Sequence, residues 1–202
     1  MGTTKSTAEL IVQEARAIVE ERGENALRVS EVAERCGVAV GLLYHYFADR
    51  EAIVAAVRAD QFATRVESDI LGLKALSATG HNTDIVDEIV DQYSDPRNED
   101  RMQHRLQRME VIVTARHNPD LLEVLRENQS RLTAEILETI RNAKANGLVA
   151  ADVDDKSLGF FLEMIPIGTA LATVYGDNLP DADKWRDFMF RVLTALMPQP
   201  GE

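Results

Sequence analysis

Aromatic side chains are scarce in this 202-residue chain: six Phe, four Tyr and one Trp. Cysteine is scarcer still. A single Cys36 excludes an intrachain disulfide and suits a reducing cytoplasm. No apolar run approaches the roughly 18–20 residues of a bilayer span, so no membrane association is expected. The first ten residues, MGTTKSTAEL, lack an apolar signal core, which argues against secretion. No internal repeat or low-complexity tract is present. His81, His104 and His117 have no metal-ligand spacing and no nucleophile stands with a base, so neither metal, cofactor nor catalysis is expected. Basic charge is short as well. The net charge of −12 argues against a non-specific nucleic-acid coat protein.

What is present reads as helix throughout. Hydrophobic content of 45% with 28% charged residues is that of a globular protein. Three- and four-residue apolar spacing recurs everywhere, and two-residue alternation is never sustained. Ser6 with Glu9 three positions on forms a capping box for a first helix carrying Leu10, Ile11, Ala15, Ile18 and Val19, which Gly23 ends. Short helices follow over 29–36 and 40–47, and Asp49 caps a fourth from Arg50. A loop is expected at 76–84, then helices over 84–94, 97–117, 119–146, 154–176 and 181–197. The expectation is an all-α fold of about nine helices.

Tyr44, His45, Tyr46 and Phe47 crowd into one turn beside Leu43. Ala33, Gly37 and the anchors Val38, Leu43 and Phe47 have the spacing of two short helices crossing closely through a glycine turn, a helix-turn-helix. The plain alternative is an ordinary helical hairpin that buries the same residues. In the DNA-binding form the second helix enters the major groove with its N-terminal residues on base edges.

The string VSEVAERCGVAVGLLYHYFADREAI, residues 29–53, closely resembles the N-terminal helix-turn-helix of the tetracycline-repressor (TetR) family of bacterial transcription regulators. Val32-Ala33, Gly37-Val38, Gly41, Leu43-Tyr44, Tyr46-Phe47, Arg50 and Glu51 carry the resemblance. It implies a DNA-binding domain over 1–50 and a helical effector-binding and dimerisation domain over 51–202. It also implies a homodimer that binds a pseudo-palindromic operator as a repressor and releases it when a small molecule binds. A helical small-molecule-binding protein or enzyme whose motif no longer engages DNA is the alternative.

Within that frame Leu43 and Phe47 face the core, four residues apart. Tyr44 and His45 lie on the flank toward DNA, able to donate to phosphates. Tyr46 fits either side, with packing at the domain seam favoured. The resemblance puts Arg50 at a phosphate contact, where the helix N-terminus would assist it. Arg28 stands where the family has a phosphate-binding hydroxyl, or is simply solvated. Val40, Gly41 and Leu42 open the recognition helix after Ala39, which cannot cap it. Val40 and Leu42 offer no hydrogen bond, so they would read shape and thymine methyls in an A·T-rich half-site. Seven basic against ten acidic side chains in residues 1–60 point to few phosphate contacts and a shallow salt dependence.

Only Phe62 and Tyr93 are aromatic within 51–150. An effector pocket there, walled by residues such as Met102 and Met109, suits an aliphatic ligand. The same Met102, Leu106, Met109 and Val113 also have the spacing of a plain core stripe. The opposite side of that helix carries Arg101, His104, Arg105 and Arg108, either an anion site or a partner for Asp84, Asp87, Glu88 and Asp91 on the preceding helix. The near-continuously apolar 158–175, with Phe161, Leu162 and Ile165, and the final helix, with Phe188 and Val192, are the expected dimer interface. Gly159, Gly168, Ala170 and Ala172 would allow its helices to approach closely.

Overall fold

A computed structural model describes residues 6–79, 90 and 95–198 of the chain. Tyr93, His81 and the expected helix over 84–94, with Asp84, Asp87, Glu88 and Asp91, lie outside the described residues. Among the described residues there is no strand.

Helix α1 spans Thr7–Arg22 and carries the capping box: the Ser6 amide donates to Glu9 Oε2 at 2.7 Å and the Glu9 amide to Ser6 Oγ at 3.3 Å. A 3₁₀ turn, Glu24–Ala26, leads to α2, Val29–Cys36. Gly37 then reverses the chain in the left-handed region, φ 67°, with its own amide on Glu34 O and the Val38 amide on Ala33 O, both at 3.0 Å. A side chain there would meet the Cβ penalty of that region, which glycine avoids. Helix α3, Val40–Tyr46, follows, and Asp49 caps α4, Arg50–Thr79, by accepting from the Ala52 amide at 2.7 Å. The expected loop from residue 76 is overturned as far as Thr79. Adding a turn to a helix already nucleated costs little, even through serine and threonine.

Three further helices begin at side-chain caps. Asn98, Asn118 and Asp154 accept from the amides of Arg101, Leu121 and Ser157 at the starts of α5 (Glu99–Ala115), α6 (Pro119–Ala145) and α7 (Asp155–Gly168). Helix α7 does not run to residue 176 as expected. Pro166 lacks the amide its turn needs, and Thr169 Oγ1 donates to Pro166 O at 2.7 Å. The chain tightens into a 3₁₀ turn, Thr169–Leu171, before the single turn α8, Ala172–Tyr175, and the closing α9, Ala182–Thr194.

Two apolar cores share α4. The first joins α1–α3 to the start of α4: Ile11, Ile18, Leu27, Val32 and Leu43 are completely buried there with Ile53 and Val57. The second holds Phe62, Val66 and Ile70 of α4 against Val111, Leu125, Leu132, Ile136 and Leu158. On α4 the buried members of the first core end at Val57 and those of the second begin at Phe62. Gly159 lets α7 lie close on α6 of the same chain. A Cβ at that position would sit 3.2 Å from Ile136 Cγ2, whereas one at Gly168 would meet nothing within 4 Å.

Candidate functional site

The outer face of α3 is the first candidate. Leu43 is fully buried and Phe47 half-buried, so this side of the turn anchors the helix on the first core. Val40, Gly41, Leu42, Tyr44 and His45 are exposed, as the periodicity requires once Leu43 points inward. Tyr46 departs from expectation. It is exposed, with its ring edge-on to His45 at 5.3 Å between centroids, and packs at no seam. Ala39 stands at the N-cap with no side-chain hydrogen bond.

The arginines near this face are already engaged. Arg50 Nε donates to Leu27 O at 3.1 Å, another of its nitrogens to Glu24 O, and Nη1 to Glu51 Oε1 at 3.0 Å. Arg50 therefore straps the 3₁₀ turn to α4. Arg28 is exposed but donates to Asn25 O at 2.7 Å. Arg16 pairs with Glu20 and Asp60, Arg22 with Glu31, and Arg35 with Glu21 and Glu31. Arg58 holds Glu24 through two 2.7 Å bonds and reaches across to Thr114 Oγ1 of α5, tying the first core's turn to the second unit. The exposed face of α3 thus carries no lysine, arginine or carboxylate and is rich in aromatic side chains.

The second candidate is a cavity of about 200 Å³ bounded by α4, α5, α6, α7 and α9. Here the sequence expectation for α5 inverts. Arg101, His104, Arg105 and Arg108 line the cavity together with Arg65 and Asp69 of α4. Arg105 is 5% exposed, whereas Met109 is 39% and Val113 60% exposed. The Met102–Val113 stripe is therefore not core, and neither Met102 nor Met109 lines the cavity. Met102 instead accepts a long contact from Thr173 Oγ1, at 3.5 Å from its sulfur. Phe62 is buried beneath Arg108, whose guanidinium carbon lies 5.5 Å from the ring centroid. Arg108 also donates to Gln129 Oε1 at 2.8 Å and lies 3.8 Å from Asp69 and 3.5 Å from Glu163. Burial pushes the Asp69 carboxyl above its ordinary value, against the pull of Arg65, Arg108, Arg101 and His104. The remaining wall mixes apolar residues, including Leu132, Ile136, Ile140, Leu162 and Leu193, with the polar Thr139, Asn142, Asn146 and Glu163.

The third feature is an uncovered apolar face on α7 and α8. Phe160 is 73% and Val174 78% exposed, with Met164, Leu171, Tyr175 and Phe188 beside them among the exposed large apolar residues. Residues 155–178 are by length and composition able to cross a membrane, which overturns the expectation that no run approaches that length. Phe161, Leu162 and Ile165, expected at a dimer interface, are half-buried against the chain's own apolar clusters, and Val192 is half-buried too. An all-round apolar helix gives no phase by which the sequence separates its two faces.

Residues 11–57 match the sequence profile of "Bacterial regulatory proteins, tetR family". Over 172 residues the chain is 22% identical to the HTH-type transcriptional regulator UidR of Escherichia coli K12, covering 84% of this chain and 82% of UidR. The fold is similar to Salmonella enterica GusR at TM-score 0.60 and 20% identity, covering 95% of each chain. It is also similar to Bacillus subtilis FadR, solved in complex with stearoyl-CoA, at TM-score 0.54 and 16% identity, covering 94% of this chain and 98% of that one.

Proposed function

The chain belongs to the tetR family of bacterial regulatory proteins, and from that premise we propose that it represses transcription as a homodimer on a pseudo-palindromic operator. It is a ligand-responsive DNA-binding regulator of a family that is not one of enzymes. Such regulators bind DNA and small molecules, typically as dimers. The outward face of α3 carries the DNA assignment. Val40, Gly41 and Leu42 meet base edges, while Tyr44, His45 and Tyr46 donate to phosphates, with Arg28 at the margin. Arg50 acts as a strut for the turn before α2. The arginines of this domain are largely spent on neighbouring acids, which supports weak non-specific binding and a shallow salt slope. Selection of the operator from random DNA tests this reading. Half-sites about one helical turn apart, roughly 34 Å or a multiple, are expected, with thymines facing Val40 and Leu42. Failure to enrich any sequence would refute it.

The DNA-binding unit comprises α1–α3 and the start of α4, and the rest forms the effector and dimerisation unit. A second copy covers the Phe160, Met164, Leu171, Val174 and Phe188 face, as the size of an apolar patch left open in one chain supports. A membrane is a poorer cover for this stretch: it contains Glu163, engaged with Arg108 and Gln129, and is broken at Thr169–Leu171. The protein works in the cytoplasm, where its operator is. Phe160→Glu combined with Val174→Glu should give folded monomers by light scattering. A persistent dimer would move the interface elsewhere.

A further inference from the structure

We infer that Arg58 is a positioning residue for DNA recognition: through Thr114 and Glu24 it makes the entry to α2 follow the position of α5, the helix that walls the cavity. This rests on reading the ligand-free chain as the DNA-binding form and the cavity as the effector site. The observation is one guanidinium shared by three elements. Nε and Nη2 of Arg58, on α4, donate to the two carboxylate oxygens of Glu24 at 2.7 Å each, and Nη1 donates to Thr114 Oγ1 of α5 at 2.5 Å. The Thr114 hydroxyl is itself fixed to α5, donating to Glu110 O at 2.9 Å. Glu24 opens the 3₁₀ turn that leads into α2, and its backbone carbonyl accepts from Arg50. Leu27, which closes that turn, is fully buried in the first core.

A guanidinium is planar and rigid, so its contacts sit at fixed angles to one another. The side-on pair with Glu24 uses one edge, and the remaining nitrogen reaches α5. A shift of Thr114 relative to Glu24 therefore breaks one contact or drags the turn. The Arg58 and Glu24 side chains are 23% and 33% exposed, so salt screens this pair less than one in open water. Donation to Glu24 holds the Arg58 guanidinium above its ordinary value; burial opposes, and the charges of Glu24 and Glu110 add. Arg108, on the cavity wall, precedes Thr114 on the same helix by about 9 Å at 1.5 Å rise per residue. A ligand that shifts the arginine-bearing half of α5 moves Thr114 with it, and the fork carries that shift to the turn before α2.

The test is fluorescence anisotropy of the whole protein on the operator it selects from random DNA, and on two versions whose half-sites are one base pair closer or farther apart. The wild-type protein should prefer its own spacing. Thr114→Val removes the acceptor on α5 and leaves α1–α3 unaltered. It should reduce the spacing preference by about fivefold, the scale of one lost hydrogen bond. Base preference within each half-site should stay as in the wild type, because α3 is unchanged. Thr114→Ser keeps the hydroxyl and should retain the spacing preference, whereas Glu24→Gln should lower it. Should Thr114→Val not fold, Glu24→Gln carries the comparison by itself. An undiminished preference in the folded Val and Gln variants overturns the proposal, as does an equal fall in Thr114→Ser. Failure of the wild-type protein to select any operator, or selection without a spacing preference, overturns it too. Only the first of these two refutes the regulator reading.

Discussion

The two apolar cores that share α4 are packed to different ends. Around α1–α3, five large side chains, among them Ile11, Leu27 and Leu43, are wholly buried, and charges are kept outside in pairs. In the second unit the core residues are mostly a few per cent exposed, and a void with arginines and carboxylates on its wall sits among them. The first arrangement fixes one geometry, as a reader of a rigid duplex must. The second leaves contacts unmade and charges incompletely solvated, which a ligand can supply.

The largest expected effect separates these two kinds of packing. Leu43→Ala should cost about 2–5 kcal/mol and abolish operator binding, because the fully buried Leu43 anchors α3 on the first core. Leu193→Ala, on the cavity wall, should fall at or below the lower end of that range, roughly 2 kcal/mol, since its contacts already stop at a void. Chemical denaturation of both variants decides. Equal losses would erase the contrast between the cores.

A middle-sized effect concerns helix approach. Gly159→Val should destabilise by about 1–3 kcal/mol through overpacking against Ile136. Gly168→Val meets open space within the chain, and any effect it has should appear in the dimer equilibrium and not in monomer stability. Thermal melts with sedimentation separate the two.

The smallest effect is one of pH. Asp69 keeps its proton to higher pH when folded than the ordinary 3.8 of the free side chain. Its contribution to folding is fully present below that value and is lost as pH rises through the folded one. Asp69→Asn should remove this fall, flattening stability against pH just above 3.8. An unchanged slope would show that Arg65 and Arg108 hold the carboxylate charged.

Much of this was legible because local chemistry leaves little choice. Ser6 with Glu9, Gly37 and Asp49 are caps and turns that act through neighbouring backbone groups, and each sits where its residue type requires. Which face of α5 turns inward was not legible. Hydrophobic periodicity assumes that apolar residues are buried, and here the inner stripe is arginine because the interior it meets is a cavity. The exposed face of α3 was legible, but the intrachain bonds of Arg50 and the ring contact of Tyr46 were not. Their placement depends on carbonyls of the Glu24–Ala26 turn and on a ring contact, and neither has a signature in sequence spacing.

Helix α4 carries a mechanical consequence. Its 30 residues make a rod of about 45 Å at 1.5 Å rise per residue. Because it is seated in both cores, the rod is a lever with its load at one end and its handle at the other. A tilt of about 5° about the cavity end sweeps the far end through roughly 4 Å. In the proposed homodimer two such levers would set the span between the α3 helices, against a duplex whose grooves repeat at about 34 Å. A displacement too small to unpack either core is therefore large enough to put the two reading heads out of step with the helix they must fit.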